Sequence, residues 1–150
     1  MYRRTLGRSG MEVSALGLGC WAIGGPFWKN GQPVGWGQVN DEESMRAIKR
    51  ALELGVTFFD TAAVYGCGHS EKVLGKALSK QRDRVVIATK FGQVFDEETR
   101  QVKCYDTSPE QIHLDCESSL RRLNVDCIDL FQLHVKDVDA GHALVVRDTL

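Results

Sequence analysis

The chain has 150 residues, 43% hydrophobic and 26% charged, with a formal net charge of −1. That suits one domain with a real core and gives no electrostatic case for nucleic acid. No apolar run approaches the ~20 residues of a membrane-crossing helix, and MYRRTLGRSG at the N-terminus lacks the apolar segment of a secretion signal, so a cytoplasmic protein without a membrane partner is expected.

YRRTL, GRSG and MEVSAL predict a β-hairpin turning at Gly7, Ser9 and Gly10. ALGLG (15–19) follows as a first core strand. Residues 20–39 read as a long loop holding Trp21, Trp28 and Trp36, and loops of that length are usually functional. Asn40 with Glu43 forms a capping box. Met45, Ile48, Ala51, Leu52 and Leu54 then give a helical apolar stripe that Gly55 ends. VTFF (56–59) predicts a second strand. Ser70 opens a second helix containing Val73, Leu74, Ala77 and Leu78, and RVVIATK (84–90) is a third strand. Ser108, Pro109 and Glu110 start a third helix lined by Ile112, Cys116, Ser119, Leu120 and Leu123. CIDLFQLH (127–134) is a fourth strand, and Asp148 with Thr149 resembles the opening of one more helix. The five cysteines contain no C-x-x-C pair, which predicts free thiols in a reducing compartment. Cys67 and His69 lie close together, but no further ligand stands at zinc spacing, so no metal is expected.

This alternation implies parallel strands joined by right-handed crossovers. Three strands end alike: VTFF runs into Asp60, VVIAT into Lys90 and IDLFQL into His134, while Tyr65 follows Asp60 in its loop. Singly, each is an ordinary polar residue at a strand end. In a parallel sheet all four reach one rim, and a carboxylate, an ammonium, a phenol and an imidazole together point to chemistry. A phenol gives up its proton reluctantly at neutral pH, and a neighbouring ammonium eases the transfer by favouring the phenolate. Asp60 would hold Lys90, and His134 would orient a carbonyl oxygen, or relay a proton, beside Tyr65.

DTAAVYGCGHSEKVLGKAL, ATKFG and DLFQLH resemble the aldo-keto reductases over nearly the whole chain. The spacing Asp-x4-Tyr-Gly-x-Gly-x-Ser-Glu is specific to that family. The resemblance implies a (β/α)8 TIM-barrel type fold, of which this chain covers the N-terminal hairpin, closing the bottom, and about four β/α units, a partial barrel. It implies reduction of small aldehydes and ketones with NADPH (NADP). Asp60, Tyr65, Lys90 and His134 match the catalytic tetrad, with Tyr65 as general acid. Gly19, Cys20, Trp21 and Asp60 match positions near the nicotinamide. Trp21, Tyr65 and His134 match positions near the substrate, with Trp28 and Trp36 either at its mouth or packed in the loop.

A whole barrel takes about 250 residues, so the chain looks truncated, and much of the cofactor site of such proteins would lie in later strands. Two copies closing a barrel through their open edges, as a homodimer, is one expectation. Three other readings stay open: a catalytically silent product, a nucleotide-sensing subunit resembling the reductase-like β-subunits of potassium channels, and a small flavodoxin-like doubly wound domain.

Overall fold

The expected hairpin opens the chain: β1 (Arg3–Thr5) and β2 (Glu12–Ser14) pair antiparallel, with Arg4 opposite Val13. The computed structural model describes residues 1–136 and Ala143, so the helix expected at Asp148 and Thr149 lies outside the described residues. β3 (Gly17–Gly19) is shorter than expected, because the Ala15 amide bonds back to the Tyr2 carbonyl at 2.8 Å. The segment 20–39 is more than a loop. It contains a 3-10 turn at Ala22–Gly24 and a small hairpin of β4 (Trp28–Lys29) and β5 (Gln32–Pro33).

α1 (Asp41–Glu53) starts where expected, the Asn40 side chain accepting from the Glu43 amide at 2.9 Å. Ile48 is its buried residue, with Met45, Ala51 and Leu52 packed around the same core. Leu54 departs from the expected stripe: it caps the helix beyond Glu53 and is 55% exposed. β6 (Phe58–Asp60) takes in Asp60 as its last residue. α2 (His69–Leu78) begins one residue ahead of Ser70, capped by Gly68 in the left-handed region at φ 92°. β7 (Val86–Phe91) leads into a second hairpin that no sequence reading anticipated, β8 (Gln93–Asp96) and β9 (Gln101–Tyr105). α3 (Pro109–Leu123) is capped by Ser108, which accepts from the Gln111 amide at 3.3 Å, and β10 (Leu130–Leu133) completes the main sheet.

That sheet runs β3-β6-β7-β10, every neighbour parallel. Its strands stand in chain order, with α2 packed against both α1 and α3. A doubly wound domain would instead reverse its order beside the first strand. The chain order excludes the flavodoxin-like reading and makes this a partial (β/α) barrel.

Alternation along each strand sorts the two faces. Leu18, Phe59 and Ile87 pack in the core with Ile48, Leu74 and Leu123 from the helices. Phe59 and Ile87 are fully buried, and each such side chain contributes roughly 2–3 kcal/mol. The opposite face carries Phe58, Asp60, Ala88, Lys90 and Gln132, aligned by the registers Asp60 with Ala88 and Gln132 with Lys90. At the N-terminal end of β6, Ser14 and Thr57 exchange two amide-to-hydroxyl bonds of 2.8 Å each, docking the entry hairpin there, opposite the chemical rim.

The two extra hairpins meet. β4 pairs parallel with β9, Trp28 beside Gln101, giving a second sheet of order β5-β4-β9-β8. Segments that leave the carboxyl ends of β3 and β7 therefore form one structured rim. Among the described residues, no helix is long and apolar enough to cross a membrane.

Candidate active site

Asp60 ends β6, Lys90 lies on β7, and His134 follows β10 directly. Lys90 is the hub. Its Nζ donates to Asp60 Oδ2 at 2.8 Å and to the Thr61 carbonyl at 2.7 Å. An ammonium has three protons, and the third reaches toward the Tyr65 hydroxyl at 3.5 Å. The Lys90 side chain is 14% exposed and that of Asp60 36%, so the pair sits where water screens it only partly. The His134 ring stands edge-on to Tyr65, centroids 5.8 Å apart. The structure thus brings the four sequence-predicted residues into one cluster.

Local backbone places the phenol. Gly66 sits at φ 62°, and a Cβ there would lie 1.9 Å from the Gly24 carbonyl oxygen; one on Gly24 would lie 2.6 Å from the Tyr65 carbonyl carbon. Two glycines let the loop after β3 rest directly on the backbone of Tyr65. Ser70 ties the same loops: its hydroxyl donates to the Cys20 carbonyl at 2.8 Å, and the Thr61 hydroxyl lies 2.9 Å from it. With the single Ser70 proton used on Cys20, Thr61 is the donor to Ser70.

Burial, reinforced by the Lys90 charge and partly opposed by Asp60, pushes the His134 pKa below its ordinary 6.5. The imidazole is therefore neutral at pH 7, with one N–H to donate. Its Nδ1 is buried without a partner among the described residues. The His134 backbone is fixed from two sides, its amide to the Phe91 carbonyl at 2.9 Å and its carbonyl from Gln93 Nε2 at 3.2 Å.

A cleft of about 400 Å³ opens at Tyr65 and His134. Phe27, Val34, Val64 and Val102 form its apolar wall, Trp21 stands at its edge, and Lys29, Gln93 and Lys136 are its polar members. Trp21 is 45% exposed, 6.3 Å from the Tyr65 ring and edge-to-face with Trp36 at 5.8 Å. Trp28 points its strand into the second sheet and does not line the cleft.

The residues expected near a nicotinamide divide. Gly19 has open space where a Cβ would stand, and Trp21 offers an exposed ring. Cys20 faces inward: its side chain is fully buried, its thiol is pushed up to about 12 by burial, and its amide bonds to the Asp60 carbonyl at 2.8 Å. Cys67 is buried too, and His69 Nε2 is bonded to Asp41 at 2.8 Å.

Sequence reasoning passed over Lys29, Gln93 and the apolar wall, because the second sheet, which presents Lys29, Gln93 and Val102, was unread. It also passed over Glu71. That carboxylate is fully buried, accepts from the Thr89 hydroxyl at 2.5 Å and from Arg122 Nε at 2.6 Å, and anchors the strand that carries Lys90.

The model of the Aldo/keto reductase family matches residues 15–146. Aldo-keto reductase YhdN of Bacillus subtilis (strain 168) is 38% identical over 139 residues, which is 91% of this chain and 39% of that protein. The holo form of aldo-keto reductase AKR11C1 from Bacillus halodurans superposes with a TM-score of 0.83 at 32% identity, over 99% of this chain and 45% of its own. Glycerol dehydrogenase AKR11B4 from Gluconobacter oxydans gives 0.70 at 38% identity, over 90% and 39% respectively. The chain spans less than half the length of each of these relatives. With strands in barrel order, four chemical groups gathered on the rim and a match from residue 15 to residue 146, the chain belongs to the aldo/keto reductase family.

Proposed function

We propose that this chain carries the proton-transfer apparatus of an NADPH-dependent reductase of aldehydes and ketones, with Tyr65 as the general acid. The observation that carries the reading is the position of Lys90 Nζ between the Asp60 carboxylate, at 2.8 Å, and the Tyr65 hydroxyl, at 3.5 Å.

The chemistry follows from these groups. NADPH, when bound, supplies a hydride to the carbonyl carbon. As the C=O π electrons move onto oxygen, Tyr65 gives that oxygen its proton and becomes phenolate. The Lys90 ammonium stabilises the phenolate, and Asp60 with the Thr61 carbonyl keeps the ammonium aimed. Neutral His134 has an N–H with which to orient the carbonyl oxygen without adding a competing charge. Gly19 and Trp21 are the residues that would hold the nicotinamide end: the space over Gly19 is open and Trp21 is half exposed. The Cys20 side chain is in the core, which leaves it a scaffolding role.

Free, exposed Cys104 and Cys127 support the cytoplasmic assignment. The edges of the main sheet, β3 and β10, are the surfaces through which a second copy would associate. Light scattering tests that pairing, and a strict monomer overturns it.

Activity is tested by following loss of reduced nicotinamide with an activated aromatic aldehyde. Tyr65→Phe is expected to lower turnover about a hundredfold or more while sparing nucleotide binding. Equal turnover in the two proteins removes Tyr65 as the acid. A soluble, folded chain with no turnover at all overturns the reductase reading for this chain.

A further inference from the structure

The cleft beside Tyr65 has a charge bias that carbonyl reduction alone does not need. Two of its lining residues, Lys29 and Lys136, are cations, and no carboxylate lines it among the described residues. On the same rim Lys90 is paired with Asp60, and in the second sheet Lys103 is paired with Asp96. Lys29 has no such partner among the described residues.

Lys29 is nonetheless held in place. It lies on β4, inside the second sheet, and is half-buried. Its Nζ donates to the Tyr105 hydroxyl of β9 at 2.7 Å and sits 4.0 Å from the centre of that ring. A phenol hydroxyl and a π face fix an ammonium without neutralising it, and leave two of its protons free. This is a positioned, uncompensated positive charge in the same cleft as Tyr65. The cleft volume of about 400 Å³ suits a body the size of one aromatic ring against Phe27 and Val64.

We propose that Lys29 is a specificity-determining residue: it selects carbonyl compounds that carry a carboxylate at the end remote from the reacting C=O, with Lys136 adding to the same field. The proposal rests on the reading of Tyr65 as the group that meets the carbonyl. A charge-assisted bond at a partly exposed site predicts about a tenfold preference for the anion over a neutral analogue of the same shape.

Para-formylbenzoate and its methyl ester are suitable probes, being alike in ring and aldehyde and different in charge. Binding is read from tryptophan fluorescence, since Trp21 is exposed at the cleft edge, and this readout needs no turnover. The expected result is that the wild-type chain binds the acid about tenfold tighter than the ester at low salt. That ratio falls toward one in Lys29→Met, falls partly in Lys136→Met, is restored in Lys29→Arg, and shrinks as salt rises. Equal binding of acid and ester by the wild type overturns the proposal. So does a preference that survives Lys29→Met, or failure of both compounds to bind. Replacing the carboxylate probe by para-formylphenyl phosphate separates carboxylate from phosphate selection, and a larger preference for the phosphate overturns the choice of carboxylate. Turnover of the ester in wild type and Tyr65→Phe reports on the proton donor separately. A lysine-dependent preference without turnover would sink the reductase reading and leave the anion site standing.

Discussion

Arg122→Met tests the scaffold behind the rim. The Arg122 guanidinium donates from Nε to Glu71 at 2.6 Å, from Nη1 to Glu97 at 3.1 Å and from Nη2 to Ser119 at 3.2 Å. The Arg122 side chain is 9% exposed and that of Glu71 0%. Methionine preserves much of the stem but strands Glu71 in the core with the Thr89 hydroxyl as its remaining partner. Loss of the half-exposed Glu97 contact costs within about 1 kcal/mol, whereas an uncompensated buried carboxylate costs about 3–5 kcal/mol. The buried term decides the outcome. For a chain of this size about 1 kcal/mol moves the midpoint by roughly 2–4 °C, so Tm should fall by roughly 10 °C. Thermal and urea unfolding followed by circular dichroism measure this, with Glu71→Leu and the double variant Glu71→Leu/Arg122→Met alongside. Removing both charges should cost less than the sum of the single changes, since the desolvation penalty leaves with them. A single variant within about 1 kcal/mol of wild type, or an additive double variant, would refute the claim that this pair braces β7.

Gly66→Ala should destabilise by at least about 2–3 kcal/mol, because φ is 62° and the new Cβ would overlap the Gly24 carbonyl; a urea midpoint like that of wild type would contradict the close contact. His134 has a folded pKa below its ordinary 6.5, so its contribution to stability is complete above pH 6.5 and is lost as pH falls toward the folded value, where the unfolded chain takes up a proton first. His134→Gln should flatten the decline in stability as pH falls below 6.5, and unchanged slopes would rule this out. Alkylation of the native chain at mildly alkaline pH should reach Cys104 and Cys127 first. Cys20 and Cys67, with thiols pushed up to about 12 and about 11 by burial, should react only after unfolding, and native-state labelling of either, read by mass spectrometry, would overturn their placement.

What the sequence made legible was local. The three helices announce themselves through Asn40, Ser108 and their apolar stripes, and three of the four barrel strands through apolar runs that stop at a polar residue. The second sheet escaped because half of its pairing is non-local: Trp28 meets Gln101 across more than seventy positions, a relation that no periodicity encodes. Signals for its hairpins were present all the same. Asn30-Gly31 is a strong tight-turn pair, and the structure puts both residues at positive φ, 51° and 73°. Val94 and Phe95, which the structure sets opposite Cys104 and Val102 across a polar turn, fit a hairpin too. Glu71 was visible as part of a motif, but its partner lies 51 positions away. Leu54 failed in the other direction: it continued the apolar pattern, but the helix had already ended.

The motif from Asp60 to Glu71 can now be explained member by member. Asp60 holds the ammonium of Lys90. Tyr65 presents the hydroxyl that the ammonium faces. Gly66 allows the Gly24 loop to lie against the backbone beside that phenol, and Gly68, at φ 92° with Arg122 Cδ 2.7 Å from where a Cβ would be, starts α2 in a space no larger residue could occupy without displacing the arginine. Ser70 joins the ends of β3 and β6 through Cys20 and Thr61. Glu71 reaches behind β7 to Thr89, the residue before Lys90. Strand alternation sends Thr89 and Lys90 to opposite faces, so the lysine is gripped in front by Asp60 and its strand is gripped behind by Glu71. One stretch of twelve residues fixes Lys90 from both sides of the sheet. Spacing in such a motif is rigid for that reason: an insertion between Tyr65 and Glu71 would release either the phenol or the brace. The same argument explains why these residues could be read from sequence while the cleft wall could not. The bracing contacts radiate from one short segment, whereas the wall is assembled from loops that meet only after the sheet has formed.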